Sequence, residues 1–458
     1  MLSSLPGFKC SFSALVWGMV AWIVIIHIHT ALNPKSENQV LQTQVSRLPL
    51  HREIEEIEEK GYGFKPRSKN IPSSSGKRKG KKVSPVHDAF NIARGSFLFP
   101  DRSLAVNPLS SDGNDTGYFY PGREWWDTDG KPIHAHGGGI LYVEETGTFY
   151  WYGENKDGQT YRAYKRGAAR VDLIGVNCYS SKDLWTWKNE GIVLPSVKYN
   201  TTHDLHESNV LERPKVIYNN HTKTYVMLMH IDNANYTKAS VGVAVSSTPT
   251  GPFQYLGSKR PHGFDSRDMT VFKDDDGKAY VIYSSADNSE LHIGILTEDY
   301  TDIGRIMRRA LVGQHREAPA VFKHEGLYYM VTSGCTGWAP NEALAHAAES
   351  MLGPWETLGK PCVGGNADLR ATTFFAQGTF VLPLPGLPDT FIFMADRWNP
   401  TDLRNSRNVW LPLIVDGLPD EPLEYEFGFP VWSRVSIYWH KRWKLPEEWN
   451  LPRPNKVG

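Results

Sequence analysis

Cysteine is scarce in this 458-residue chain, with four in all: Cys10, Cys178, Cys335 and Cys362. So few exclude a disulfide scaffold. In the main body at most one pair can form, Cys335 with Cys362 being open, and one thiol is left over. Net charge is also lacking, with 50 Lys and Arg against 50 Asp and Glu. Its distribution is uneven: residues 33–90 carry twelve basic against seven acidic residues, which with Lys9 leaves residues 91–458 about six charges negative. A nucleic-acid enzyme would need a basic face, so that class is excluded. Helical periodicity is almost absent beyond Tyr118. What is present is apolar and aromatic: 40% hydrophobic and 12% aromatic residues suffice for a substantial core.

From Phe12 to Leu32 there are 21 residues without a formal charge, which at about 1.5 Å each span a bilayer core of about 30 Å. A cleaved signal peptide is the competing reading, with Ala31 near a cleavage site. The run exceeds the usual apolar h-region of a signal peptide, and His27 and His29 leave no small-residue cleavage pattern, which favours an uncleaved anchor. Lys9 on the short side gives a weak vote for a cytosolic tail over residues 1–11, an anchor over 12–32, and a lumenal remainder. Residues 33–115 read as a flexible basic stem. Glu53–Lys60 suits a short charged helix, but Pro66–Lys82 has too few apolar residues to offset the entropy of ordering. The sequons at Asn114, Asn200, Asn220 and Asn235 agree with a secretory, Golgi-type single-pass membrane protein whose main domain is lumenal and glycosylated.

Over 116–458 five stretches repeat one plan: a polar residue leads an apolar strand, a turn follows, and an aromatic-rich strand returns. The leading residues are Gly137, Glu212, Asp268, Glu317 and Gln377, spaced by 75, 56, 49 and 60 positions. Outer-strand signals such as Ser180–Trp187, Ser246–Phe253 and Ala348–Trp355 lie between them. The fold expected is all-β, a five-bladed β-propeller. In a propeller the first strands line the axis, so these leading residues converge, joined by Glu154. Clustered acids repel, which raises one pKa and supplies the acid and base that glycoside hydrolysis needs.

The set Glu212-Arg-Pro-Lys-Val, Ser266-Arg-Asp268-Met, Arg316-Glu317-Ala-Pro-Ala and Ala376-Gln377-Gly-Thr-Phe-Val, with Tyr152-Gly-Glu154 upstream, resembles glycoside hydrolase family 43 and its exo-β-1,3-galactanase subgroup. The anchor and stem resemble plant Golgi members acting on arabinogalactan. The resemblance implies release of galactose from β-1,3-galactan, by inversion, without metal or cofactor. It implies Glu317 as the general acid and Asp268 as the residue tuning and orienting it. Glu154 and Glu212 are implied as sugar-binding acids. Most of the wider family places an aspartate base in the first blade, where this chain has Gly137-Gly138-Gly139. The subgroup shares that absence, and Gln377 matches the glutamine that positions water there. An amide is a poor base unless it shifts to its imidic acid tautomer, so Glu212 stays open as the base.

Other features are weaker. Asp274-Asp275-Asp276-Gly277 resembles a glycosyltransferase metal motif but fits a hairpin turn better. His134 and His136 have no Cys or carboxylate partner at metal-ligand spacing. Of Trp125, Trp126, Trp151, Trp338 and Trp398, only Trp338 is placed at a sugar subsite; the rest are expected between blades. A glycosyltransferase would need a helical nucleotide-sugar domain that is missing here. A catalytically inactive carbohydrate-binding propeller and another family specificity, arabinosidase or xylosidase, remain as alternatives.

Overall fold

Runs of β-branched and aromatic residues bounded by Gly, Asp and Asn favour pleated strands, and the chain folds accordingly. The computed structural model describes residues 97–110, 115–162, 169–415, 435–446 and 449. Five antiparallel sheets follow one another. From inside out, blade 1 is His136–Val143, Thr148–Glu154, Gly175–Ser181 and Lys188–Pro195, and blade 2 is Val210–Asn219, Thr224–Asp232, Ser240–Ser246 and Gln254–Lys259. Blade 3 is Met269–Lys273, Ala279–Ser285, Glu290–Leu296 and Ile303–Ala310, and blade 4 is Arg316–His324, Leu327–Gly334, Leu344–Ala348 and Glu356–Gly359. Blade 5 is Gln377–Leu384, Leu387–Arg397, Arg407–Val415 and Val435–Tyr438, with Cys362–Val363 added in parallel at its edge. The inner strands touch in cyclic order, blade 5 returning to blade 1. This is the closed ring of a five-bladed β-propeller.

Aromatic rings seal the junction of blades 1 and 5. Trp410 lies 4.8 Å from Trp151 and 5.1 Å from Trp125. Phe119 stacks on Trp443 at 4.4 Å, where Tyr118–Phe119 pairs with Trp443–Lys444. The domain begins earlier than the expected boundary at residue 116. Leu98 is fully buried and its carbonyl accepts a hydrogen bond from Arg397 Nη1 at 2.9 Å, while Val106 packs in the Trp125 cluster. These apolar side chains draw residues 97–110 onto the propeller and out of any stem.

The inner strands of blades 1, 2 and 4 share one irregularity that aims the site. Register slips between His136 and Gly139, between Glu212 and Lys215, and between Glu317 and Ala320. The residue just inside each slip, Gly137, Arg213 and Ala318, has φ of 61°, 56° and 51°. Such a bulge bends the strand and re-aims the side chain before it. His136, not Gly137, therefore stands where Glu212 and Glu317 stand in their blades, which corrects the expected leading residue of blade 1. The glycines have a steric reason: a Cβ on Gly138 would lie 1.7 Å from the Tyr152 carbonyl oxygen.

Other expectations resolve locally. Asp274–Gly277 forms the hairpin turn between the first two strands of blade 3, and Asp274 pairs with Lys323 at 2.6 Å, tying blade 3 to blade 4. Cys178, Cys335 and Cys362 are all free thiols, so the pairing left open between Cys335 and Cys362 is not made: one is exposed near the axis and the other is buried at the edge of blade 5. Among the described residues no helix is long and apolar enough to cross a membrane. The expected tail, anchor at Phe12–Leu32 and stem up to residue 96 lie outside the described residues, as does Asn114. Asn200, Asn220 and Asn235 are exposed.

Because Trp410 fills the closing junction, Trp410→Ala is expected to lower the unfolding free energy by about 3–5 kcal/mol. Chemical denaturation measures it. An unchanged midpoint would mean that ring closure does not depend on this cluster.

Candidate active site

Side chains from all five blades meet at one end of the axis, those of blades 1, 2 and 4 beside the bulges, and hydrogen bonds link them. Gln377 Nε2 donates to Glu317 Oε1 at 3.1 Å and to Ser333 Oγ at 3.0 Å. Asn288 Nδ2 donates to the other oxygen of Glu317 at 3.1 Å. The Arg213 guanidinium sits between blades: Nη2 donates to Asp268 Oδ2 and to Gln377 Oε1, both at 2.7 Å, and Nη1 donates to the Gly378 carbonyl at 2.9 Å. Its backbone N–H donates to Glu154 Oε1 at 3.0 Å.

Glu212 lies on the blade 2 side, where Tyr236 donates its hydroxyl to Oε1 at 2.7 Å and His230 Nδ1 stands 3.2 Å from Oε2. His230 Nε2 is held 3.0 Å from Asp232. On the blade 1 side Lys156 Nζ pairs with Glu154 at 2.5 Å. His136 Nδ1 lies 2.8 Å from Asp396 Oδ1, and the other oxygen of Asp396 accepts from the Gly137 N–H at 2.7 Å. Trp338 donates Nε1 to the Ala169 carbonyl at 3.1 Å and meets Trp398 edge-on at 5.0 Å. With Glu154, Glu212 and Tyr236 it lines an open depression of about 370 Å³.

Residues 140–372 match the glycosyl hydrolases family 43. No curated protein matches the chain. Among solved structures, a family 43 β-1,3-galactosidase in complex with galactodeoxynojirimycin is 39% identical over 71% of this chain and 100% of that one, with a TM-score of 0.62. The chain belongs to glycosyl hydrolase family 43. An exo-β-1,3-galactanase from Phanerochaete chrysosporium, carrying β-1,3-galactotriose, is 34% identical over 72% of this chain and 68% of its own, with a TM-score of 0.60. Another from Clostridium thermocellum is 34% identical over 72% and 67%, with a TM-score of 0.59.

In this family 43 site the carboxyl groups are driven apart electrostatically. Burial and the neighbouring Asp268 charge push Glu317 up to about 8, against the opposing pull of Arg213. Burial also presses on Glu212, but the hydrogen bond and charge of His230 outweigh it and hold Glu212 well below the usual carboxylate range. His230 is correspondingly raised to about 9, its carboxylate partners overcoming burial. Burial raises Glu154 in spite of Lys156. One carboxyl is thus protonated at neutral pH while its neighbour is ionised, the division that acid and base catalysis requires.

The family 43 glycosidase brings together Glu154, Glu212, Asp268, Glu317 and Gln377, all named from the sequence. Trp338 joins them at the rim, although its indole N–H is already held. Trp398, expected between blades, instead donates Nε1 to Gln377 Oε1 at 3.1 Å. Arg and Trp side chains only donate, so Gln377 Oε1 must be a carbonyl oxygen. The imidic acid tautomer would put a proton where two donors already point. Among the described residues no cluster of three or more His, Cys, Asp or Glu is arranged to hold a metal ion. Burial depresses His134 to about 3, which leaves it neutral.

Sequence reading missed Arg213, Tyr236, Asn288 and Asp396 as members of the site. Arg213 stands inside the Glu212-Arg-Pro-Lys-Val motif, and Asp396 pairs with Gln377 across the blade 5 hairpin. Tyr236 and Asn288 come from turns with no repeat to expose them.

Since the Asp268 charge raises the pKa of Glu317, Asp268→Asn should lower it. The alkaline limb of the pH profile, where Glu317 loses its proton, then moves to lower pH. A limb that stays in place would exclude the coupling.

Proposed function

We propose that this protein is an exo-acting β-1,3-galactosidase that trims galactan chains of arabinogalactan from the Golgi lumen. The observation that carries the reading is the buried Glu317 carboxyl, held by Gln377 and Asn288 at the axial end of the propeller where Gln377 also meets the Arg213–Asp268 pair, with burial and Asp268 raising its pKa to about 8. Similarity to β-1,3-galactosidases and exo-β-1,3-galactanases supports galactose as the sugar. The apolar run Phe12–Leu32 and the exposed sequons at Asn200, Asn220 and Asn235 support a glycosylated, single-pass lumenal enzyme.

Glu317 protonates the departing glycosidic oxygen. Asp268, paired with Arg213, tunes and orients it. Glu154 and Glu212 accept hydrogen bonds from galactose hydroxyls, and Trp338 borders the subsite.

Two residues compete to hold the attacking water. Gln377 matches the glutamine that takes this part in the subgroup. Against it, Gln377 touches Glu317 directly, and both its donors and its carbonyl oxygen are engaged. Inverting pairs stand about 6.5–9.5 Å apart to admit sugar and water. That contact favours Glu212 as a second reading for this one step. Binding without hydrolysis is the runner-up function, favoured by His136 and its Asp396 partner in a blade where the wider family has an aspartate base.

Incubation of the protein with β-1,3-galactan oligosaccharides decides between enzyme and binding module. Free galactose is expected; binding without product would overturn the assignment, and arabinose or xylose released from their glycosides would redirect it. Glu317→Gln should lower turnover by about 10²–10⁴-fold. If Glu212→Gln is crippled and Gln377→Ala is mild, the water belongs to Glu212; the opposite order gives it to Gln377. Membrane retention of the full chain, lost on deleting residues 12–32, tests the anchor.

A further inference from the structure

Left-handed backbone is uncommon for residues with a Cβ, and it persists only where the surroundings impose it. Among the described residues only two runs of three consecutive non-glycine residues adopt it. They are Ala286-Asp287-Asn288, with φ of 49°, 56° and 61°, and Thr373-Phe374-Phe375, with φ of 50°, 59° and 57°. Both lead to the same carboxyl group. Asn288 donates to Glu317 Oε2, and Gln377, two residues beyond the second run, donates to Glu317 Oε1.

The first run is held by residues that do not themselves hydrogen-bond Glu317. Asp265 accepts the backbone N–H of Ala286 through Oδ1 at 2.9 Å and that of Asp287 through Oδ2 at 3.1 Å. Arg267 Nη1 donates to Asp265 Oδ2 at 3.0 Å, and its Nη2 lies 3.1 Å from Asp287 Oδ1. One carboxylate thus gathers two successive amides of the turn, and the arginine ties both ends together. Asn is also the side-chain-bearing residue that, with Asp, best tolerates this conformation. The residue whose type suits the turn is the one whose amide reaches the acid.

We infer that Asn288 is a positioning residue for Glu317, presented by a preset left-handed turn, and that with Gln377 it fixes the carboxyl group by donating one hydrogen bond to each oxygen. The inference rests on the reading of Glu317 as the general acid. A carboxyl held from both sides keeps one orientation toward the leaving oxygen, and displacement of about 1 Å at such a group is enough to cost about 10²-fold in rate.

The competing explanation is that Asn288 only closes its turn. Asn288→Gly separates the two, because glycine keeps the left-handed backbone and removes the amide. Two substrates are compared: β-1,3-galactobiose, whose leaving alcohol needs a proton, and dinitrophenyl β-galactoside, whose phenolate does not. The variant is expected to lose about 10–100-fold in kcat/KM on the first, part of the usual contribution of acid catalysis, and to stay within about twofold on the second. Equal losses on both substrates, or none on either, would overturn the inference. A carboxyl ¹³C titration of Glu317 gives an independent readout. Loss of a donor to the charged form raises its pKa, and an unmoved titration in Asn288→Gly would also overturn it. If the unaltered protein cleaves neither substrate, the functional reading falls, and the titration still decides on Asn288.

Discussion

One buried cation holds the upper ring together. Arg213 lies on blade 2, yet its backbone reaches Glu154 of blade 1, and its guanidinium reaches Asp268 at the start of blade 3 and Gln377 and Gly378 of blade 5. A guanidinium this buried is tolerable only when fully bonded, and breaking such a pair costs about 3–5 kcal/mol. The propeller supplies three such bonds by spreading the acceptors over separate sheets. Each blade therefore depends on the others for the position of its leading residue, and the site exists only in the closed ring.

The same cation sets the charge pattern. Without it, Asp268 and Glu317 would face each other as two acids in a low-dielectric recess. With it, Asp268 is paired with Arg213, and Glu317 is pushed toward its protonated form by burial and by Asp268. A second cation, Lys215, runs beneath this layer and donates to the Gly137 carbonyl at 2.7 Å. Burial and the nearby Arg213 charge push Lys215 down to about 7, so the axis does not accumulate two full positive charges without cost.

Much of this was legible because it repeats. The alternation of apolar residues, the turn glycines and the polar residue ahead of each inner strand exposed five hairpins, and the axis of a propeller then placed Glu212, Asp268, Glu317 and Gln377 together. What was not legible has a physical cause in each case. The lead of blade 1 slipped by one residue because a bulge at a positive φ does not alter apolar spacing, and Gly137 looked as much like a lead as His136. Arg213 faces inward because it sits in the corresponding bulge of blade 2, which no two-residue periodicity signals. Asn288 and Tyr236 are carried by turns, whose geometry depends on Asp265 and on the Asn233–Thr237 contact rather than on pattern.

Space is short at the start of the blade 1 inner strand. A Cβ on Gly137 would lie 2.2 Å from Glu154 Oε1, and one on Gly139 would lie 2.9 Å from the Lys215 side chain. An aspartate at Gly137 and the carboxylate of Glu154 in its present place are mutually exclusive. The acid present there is Glu154, which reaches across from the second strand and is clamped by Lys156 and the Arg213 backbone. A carboxyl so clamped is a fixed acceptor for a hydrogen bond. Glu212 is braced separately, by His230 and Tyr236, while Gln377 and Asn288 hold the Glu317 carboxyl, so the two acids are fixed by different partners.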